Sequence, residues 1–267
     1  MNLFSTQNLV GIQLYSLKEI IPNDTKLIFK KLSLVGFKEI ETYGYSNGHF
    51  WGMRAEELKE ELIKNKLTTP SGHYGLESVF YGKLDELKEI IEVAKILNQK
   101  YVVIPSIPSH LRKSKSDYIG IAEKLNIAGK LCKQSGLKLA YHNHAFEFEA
   151  LDDSKTNGYE LLLEHTNSDI ITFEIDIYWV VRAGINPIAL FTKYPGRFKL
   201  WHIKDMDKNN RELNTEIGSG NIDFQKMILY KEKSGVEHFT LEQENFEIDP
   251  FESLEKSYKY ISRTLLN

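Results

Sequence analysis

Short apolar runs alternate with longer amphipathic ones along the chain. "LVGIQL", Leu9 to Leu14, is too short for a helix and reads as a strand. Pro22, Asn23 and Asp24 then offer a stop and helix-cap candidates before "TKLIFKKLSLVG", whose apolar positions recur at helical spacing and which ends on glycine. The alternation continues with "FKEIET" as a strand and "AEELKEELIKNK" as a helix. A strand in "LTTPSGHYG" is weakened by Pro70, and the helix "GKLDELKEIIEVAKILN" follows it. "YVVIPSI" reads as a buried strand and "SDYIGIAEKLNIAGKLCKQSG" as a long helix ending at Gly136. The second half predicts strands in "LKLAYHN", "IITFEID", "FKLWHIKD" and "HFTLEQEN". Their partner helices are "GYELLLEHT", "NPIALFTKYPG", "DFQKMILYKEKSG" and "DPFESLEKSYKYISRTLL".

Eight strand–helix units in 267 residues match the length of roughly 250 residues that a (β/α)8 barrel uses. An open doubly wound sheet can also hold eight units. The first strand–helix turn, however, lacks the GxGxxG or GxxxxGK[ST] pattern of nucleotide-binding sheets. No low-complexity linker divides the chain, and the unit spacing is too irregular for a solenoid. The expectation is an α/β fold, a single (β/α)8 TIM barrel domain over residues 1–267.

Composition narrows the function classes. Lys+Arg (34) nearly balances Asp+Glu (37), and no basic block stands out, so no nucleic-acid partner is expected. The single cysteine, Cys132, excludes an intrachain disulfide and a CxxC zinc site, and its helical context suits a buried apolar role. No apolar run reaches transmembrane length, so no membrane partner is expected. "MNLFSTQNLVGIQLYS" lacks the pattern of a secretory signal, which makes the cytoplasm the expected location.

In a barrel of this kind, chemistry sits where strands end and loops begin. The chain places its unusual polar residues there: Glu41 and His73 after the second and third strands, and His142, His144 and Glu147 after the fifth. Asp176 follows the sixth strand, His202 and Lys204 the seventh, and Glu242 and Glu244 the eighth. Taken singly, Asp176 reads equally well as a helix cap, His202 more readily as a core histidine than a ligand, Glu242 also as a buried carboxylate paired with a cation, and Lys204 with Asp205 also as a surface ion pair. Jointly, carboxylates and imidazoles from neighbouring strand ends converge on a barrel axis and suit a divalent ion. Such an ion acts as a Lewis acid on a carbonyl and lowers the cost of an enediolate, while a flanking base moves the proton. "EIGSGNIDF" reads either as a flexible loop before a capped helix or as backbone amides that hold an anion. Aromatic residues near the strand ends, Tyr15 and Trp179 among them, can stack on a sugar or simply pack the loops.

"GIQLYSLKE", "LAYHNHAFEFE", "FEIDIYWVVRAGINPIALFTKYPGRFKLWHIKDMDK" and "EIGSGNIDF…LEQEN" together resemble the xylose isomerase-like sugar phosphate isomerase/epimerase superfamily over nearly the whole chain. The resemblance implies a TIM barrel with one divalent metal ion, Mn²⁺ first, with Mg²⁺, Co²⁺ or Zn²⁺ as alternatives. It implies Asp176, His202 and Glu242 as ligands, with Glu147 as the fourth and His142 as the alternative to it. It implies proton transfer by His144, with His142, Glu242 and Lys204 as further catalytic candidates. Glu41, His73, Tyr15, Trp179 and Glu244 are the candidate substrate-binding residues. The implied activity is a metal-dependent sugar isomerase or epimerase working through an enediolate. A dehydratase or lyase on a 3-keto sugar or inosose is the alternative, and a non-catalytic sugar-binding or partner subunit the alternative from another class. The expected partner is an unphosphorylated carbohydrate, in a possible homodimer.

Overall fold

The computed structural model describes residues 10–151 and 156–267. Eight parallel strands close into a barrel in chain order: β1 (Val10–Gln13), β2 (Glu39–Thr42), β3 (Thr68–His73), β4 (Tyr101–Ile104), β5 (Lys138–His142), β6 (Ile171–Asp176), β7 (Phe198–Ile203) and β8 (His238–Leu241). This is the single (β/α)8 barrel the alternation predicts. Leu9, the predicted start of the first strand, lies outside the described residues.

Strand residues alternate between the barrel interior and the layer beneath the helices. In β6, Phe173 packs outward against Tyr159 and Phe198. Its neighbour Glu174 meets His73 and His202 across the interior. A small apolar plug of Tyr101, Val103, Ala140 and Leu200 fills the lower interior, and the large core lies between strands and helices. Two irregularities interrupt the ladder. Glu39 pairs with Thr68 but Glu41 with Ser71, so β3 carries one extra residue, and Pro70 sits in that bulge where its missing N–H breaks no ladder bond. A second shift separates the pairs Phe173–Phe198 and Glu174–Leu200.

The helices start where cap residues allow. Asp24 accepts from Leu27 N–H ahead of α1 (Thr25–Val35), while α2 (Ala55–Lys64) and α3 (Asp85–Ile96) follow β2 and β3. Ser114 and Asp117 form a reciprocal capping box on α4 (Lys115–Gln134), and Asn157 caps α5 (Gly158–His165). The sequence pattern misses α6 (Ile177–Arg182), which begins directly at Asp176 and precedes the predicted α7 (Pro187–Lys193). It also merges two helices, since "DFQKMILYKEKSG" breaks into α8 (Phe224–Ile228) and α9 (Lys231–Ser234) before the closing α10 (Pro250–Tyr260).

The loop after β7 is organised by one buried carboxylate. Asp205 accepts from the N–H groups of Met206 and Ile222 through Oδ1, and of Gly218 and Gly220 through Oδ2, at 2.8–3.1 Å. A side chain at Gly220 would start 2.2 Å from the Met206 carbonyl oxygen and 2.3 Å from Asp205 Oδ1, so only glycine fits there. Hydrogen bonds to a buried charge contribute about 1.5–3 kcal/mol each, and losing the acceptor strands all four amides. Asp205→Ala is therefore expected to destabilise the fold by about 3 kcal/mol. A melting temperature within about 2 °C of wild type would contradict this, because roughly 6–12 °C of loss is expected for a chain of this size.

Candidate active site at the carboxyl ends of the strands

A cavity of about 390 Å³ opens at the carboxyl ends of the strands, and its lining includes Tyr15, His73, His142, His144, Trp179, Glu242 and Glu244. The strand-end prediction thus brings most of its residues to one place. Tyr15 stands edge-on to Tyr43 with ring centroids 5.1 Å apart, and Lys18 lies over its ring at 4.2 Å. Trp179 packs 5.4 Å from the His144 ring.

His142, Asp176, His202 and Glu242 bring one donor atom each to within 4.8 Å of one another, all buried. This donor set, two imidazoles and two carboxylates, fits a divalent ion of the Mn²⁺, Co²⁺ or Zn²⁺ type. Asp176 supports the fit. Its Oδ1 accepts the Trp179 N–H as the α6 cap, while its Oδ2 is buried with no partner. Asp176 is thus a helix cap as well as a candidate ligand. Asn143 fixes it from the neighbouring strand by accepting the Asp176 N–H at 3.0 Å.

Glu147 does not take the position expected of it. It belongs to neither group of four metal-capable side chains found among the described residues. The 3₁₀ turn Phe146–Phe148 carries it behind β5, where Oε1 accepts from Tyr141 O–H at 2.6 Å and Oε2 from His144 N–H at 2.9 Å. Burial pushes its carboxyl up to about 7. His142, the alternative, is the β5 residue that reaches the group. Glu41 also departs from its expected role: it lies in the layer beneath the cavity rather than on its lining. There Glu41 Oε1 accepts from Gln13 Nε2 at 2.6 Å and sits 2.7 Å from His202 Nε2.

Sequence reasoning overlooked Glu174. It is fully buried and stands within 3.2 Å of His73, His142 and His202. The signal was available: Glu174 precedes Asp176 by two residues, so in a strand both face the interior. The amides of "EIGSGN" are likewise not a free anion cradle, because Asp205 takes those of Gly218 and Gly220.

The charges balance by proximity. Burial disfavours charge on every group here, but opposite partners outweigh it for most. Glu41 and Glu174 lift His73 to about 10 and hold His202 well above the ordinary histidine range. Lys204 and His202 hold Glu242 ionised, and Lys204, itself paired with Glu244 and 3.8 Å from Glu242, stays a cation. Burial raises Asp176 and keeps His142 neutral. His144 is different: burial among aromatic rings, stacked on Phe146, pushes it down to about 4, and its Nδ1 has no partner. The cavity therefore contains one neutral, uncommitted imidazole. Long-range ¹H–¹⁵N NMR of metal-free protein is expected to show His144 titrating near pH 4 and His73 near pH 10. Both titrating near the ordinary value of about 6.5 would contradict this packing.

Comparison with known proteins agrees with the fold. The chain is similar to inosose dehydratase of Clostridium beijerinckii, 28% identical over 160 residues that cover 53% of this chain and 52% of that protein. It thus spans about half the length of this curated relative. It is also similar to inosose dehydratase of Clostridium tetani, 26% identical with 90% and 89% of the two chains covered. A solved sugar phosphate isomerase/epimerase from Parabacteroides distasonis superposes with a TM-score of 0.86 at 24% identity, over 99% of this chain and 97% of that one. The model of the xylose isomerase-like TIM barrel matches residues 29–264, and the chain belongs to that family.

Proposed function

We propose that the protein removes a proton next to the carbonyl of a cyclic keto-sugar or inosose and expels a hydroxyl from the neighbouring carbon, as a dehydratase or lyase. The observation that carries this reading is His144, the neutral imidazole without a partner that lines the cavity beside Glu242. Only the neutral ring accepts a proton, and at any pH above about 5 His144 is in that form. The names of the inosose dehydratase relatives support the same reaction class.

His142, Asp176, His202 and Glu242 would hold the divalent ion, which when bound supplies Lewis-acid polarisation of a carbonyl and an adjacent hydroxyl oxygen. Tyr15 and Trp179 offer apolar ring faces to the carbon skeleton. His144 takes the proton from the carbon next to the carbonyl, and that carbon's electron pair forms the new double bond. The bond from the adjacent carbon to its hydroxyl breaks. The proton held on His144 returns to the departing hydroxyl, so water leaves and the ring is neutral again. Lys204, kept cationic by Glu242 and Glu244, steadies the negative charge that develops on the substrate. Elimination is favoured over epimerisation because epimerisation needs a second base on the opposite face. The nearest candidate, Glu242, is tied to His202 at 2.9 Å and is too strongly acidic to serve well.

Incubating the Mn²⁺-loaded enzyme with an inosose and a 3-keto sugar that keeps its free anomeric hydroxyl in deuterated water tests the reading. The expected product is an unsaturated ketone with ultraviolet absorbance, and His144→Ala should lower kcat about 10²–10⁴-fold without changing metal affinity. Deuterium in a saturated epimer or ketose would instead make the enzyme an isomerase. Ligand binding without turnover would make the protein a binding subunit.

A further inference from the structure

Glu174 has no place in the reaction above, yet it sits at the centre of the buried polar cluster. Its Oε2 lies 2.6 Å from His73 Nε2, 3.0 Å from His142 Nδ1 and 3.2 Å from His202 Nε2. Imidazoles from three strands thus meet at one oxygen. The same His202 nitrogen is 2.7 Å from Glu41 Oε1, which Gln13 secures from the far side. An imidazole has two nitrogens on opposite edges, so committing one edge decides what the other can face. With Nδ1 of His142 on Glu174, Nε2 is the nitrogen left for the cavity that His142 lines. With Nε2 of His202 on Glu41 and Glu174, Nδ1 is left beside Glu242 Oε2 at 2.9 Å.

We propose that Glu174 is the positioning residue of the metal centre: it accepts the hydrogen bond of His142 Nδ1 and, together with Glu41, pairs with His202 Nε2, and so selects Nε2 of His142 and Nδ1 of His202 as ligand atoms. The proposal rests on the reading that these two histidines hold a divalent ion and is independent of which reaction follows. Two physical reasons support it. Glu174 lies inside β6 rather than on a loop, so its carboxylate is held by the barrel itself. A carboxylate on the outer edge of a ligating imidazole fixes the ring's tautomer and orientation and makes it a better donor. One carboxylate here does this for two ligands from two different strands. The competing arrangement, an ion seated lower among His73, His142, Glu174 and His202, would use the opposite nitrogens of both rings.

Wild-type protein with ¹⁵N-labelled histidine, loaded with ¹¹³Cd²⁺, separates the two. Cadmium–nitrogen coupling is expected to Nε2 of His142 and Nδ1 of His202, and coupling to the opposite nitrogens would overturn the proposal. A second measurement uses Glu174→Gln, which keeps the shape and removes the charge. Its Kd for Co²⁺, measured against a competing chelator, is expected to rise about 10–100-fold, with a shifted visible spectrum of the bound ion. Glu39→Gln serves as the control: Glu39 is a buried carboxylate 2.9 Å from His238 Nδ1 at the opposite end of the barrel, and its loss should leave that Kd within about twofold. An unchanged Kd and spectrum in Glu174→Gln would overturn the proposal. So would complete loss of binding by a folded Glu174→Gln protein, which would make Glu174 a ligand. The cadmium measurement needs no variant, so the proposal stays testable if Glu174→Gln does not fold. Neither measurement reads turnover, so both outcomes stand whatever the reaction proves to be.

Discussion

Closing parallel strands into a barrel forces side chains from strands far apart in sequence onto one axis, where water is scarce. Glu41, Glu174, Asp176 and Glu242 all point into that space, each at most 6% exposed. Isolated carboxylates could not stay ionised there, because burying an unpaired charge costs several kcal/mol. His73, His202 and Lys204 answer them, each drawn to its charged form by the acids around it. The site exists because these charges compensate one another across five strands.

That compensation explains why His144 stands apart. It sits at the rim of the cluster, just past the last residue of β5, between Phe146 and Trp179. Its Nδ1 has no partner, and desolvation outweighs the opposing attraction of Glu242 and Glu244. One aromatic pocket thus supplies a neutral base in the same cavity as the charged His73, the separation of protonation states that proton-transfer chemistry requires.

The barrel was legible because alternating apolar and amphipathic runs report burial directly, and because several helix starts carry a capping side chain, Asp24, Ser114 and Asn157 among them. The site was legible in outline because strand ends face the mouth in every such barrel. What stayed hidden has specific causes. Glu174 lies inside a strand of apolar residues, and only its two-residue spacing from Asp176 marks it. Glu147 follows a strand end but sits in a 3₁₀ turn, whose direction the sequence does not announce. The amides of the glycine loop looked available because Asp205, which binds them, is 13 and 15 residues away from the two glycines in sequence. The break between α8 and α9 has no proline or glycine to signal it.

The two register shifts have a consequence for the facing of side chains. In paired parallel strands, partner residues look to the same side, so an extra residue reverses every later position. Without the bulge in β3, Glu41 would pair with Pro70 instead of Ser71, and His73 would turn outward into the helix layer. Without the shift between β6 and β7, Asp176 would pair with Trp201 instead of His202, and the indole rather than the imidazole would face the axis. Both inward histidines on these strands therefore depend on an odd step in the ladder. The proline that weakens β3 as a strand belongs to one of those steps. In this barrel, the parity of strand pairing determines which side chains form the site.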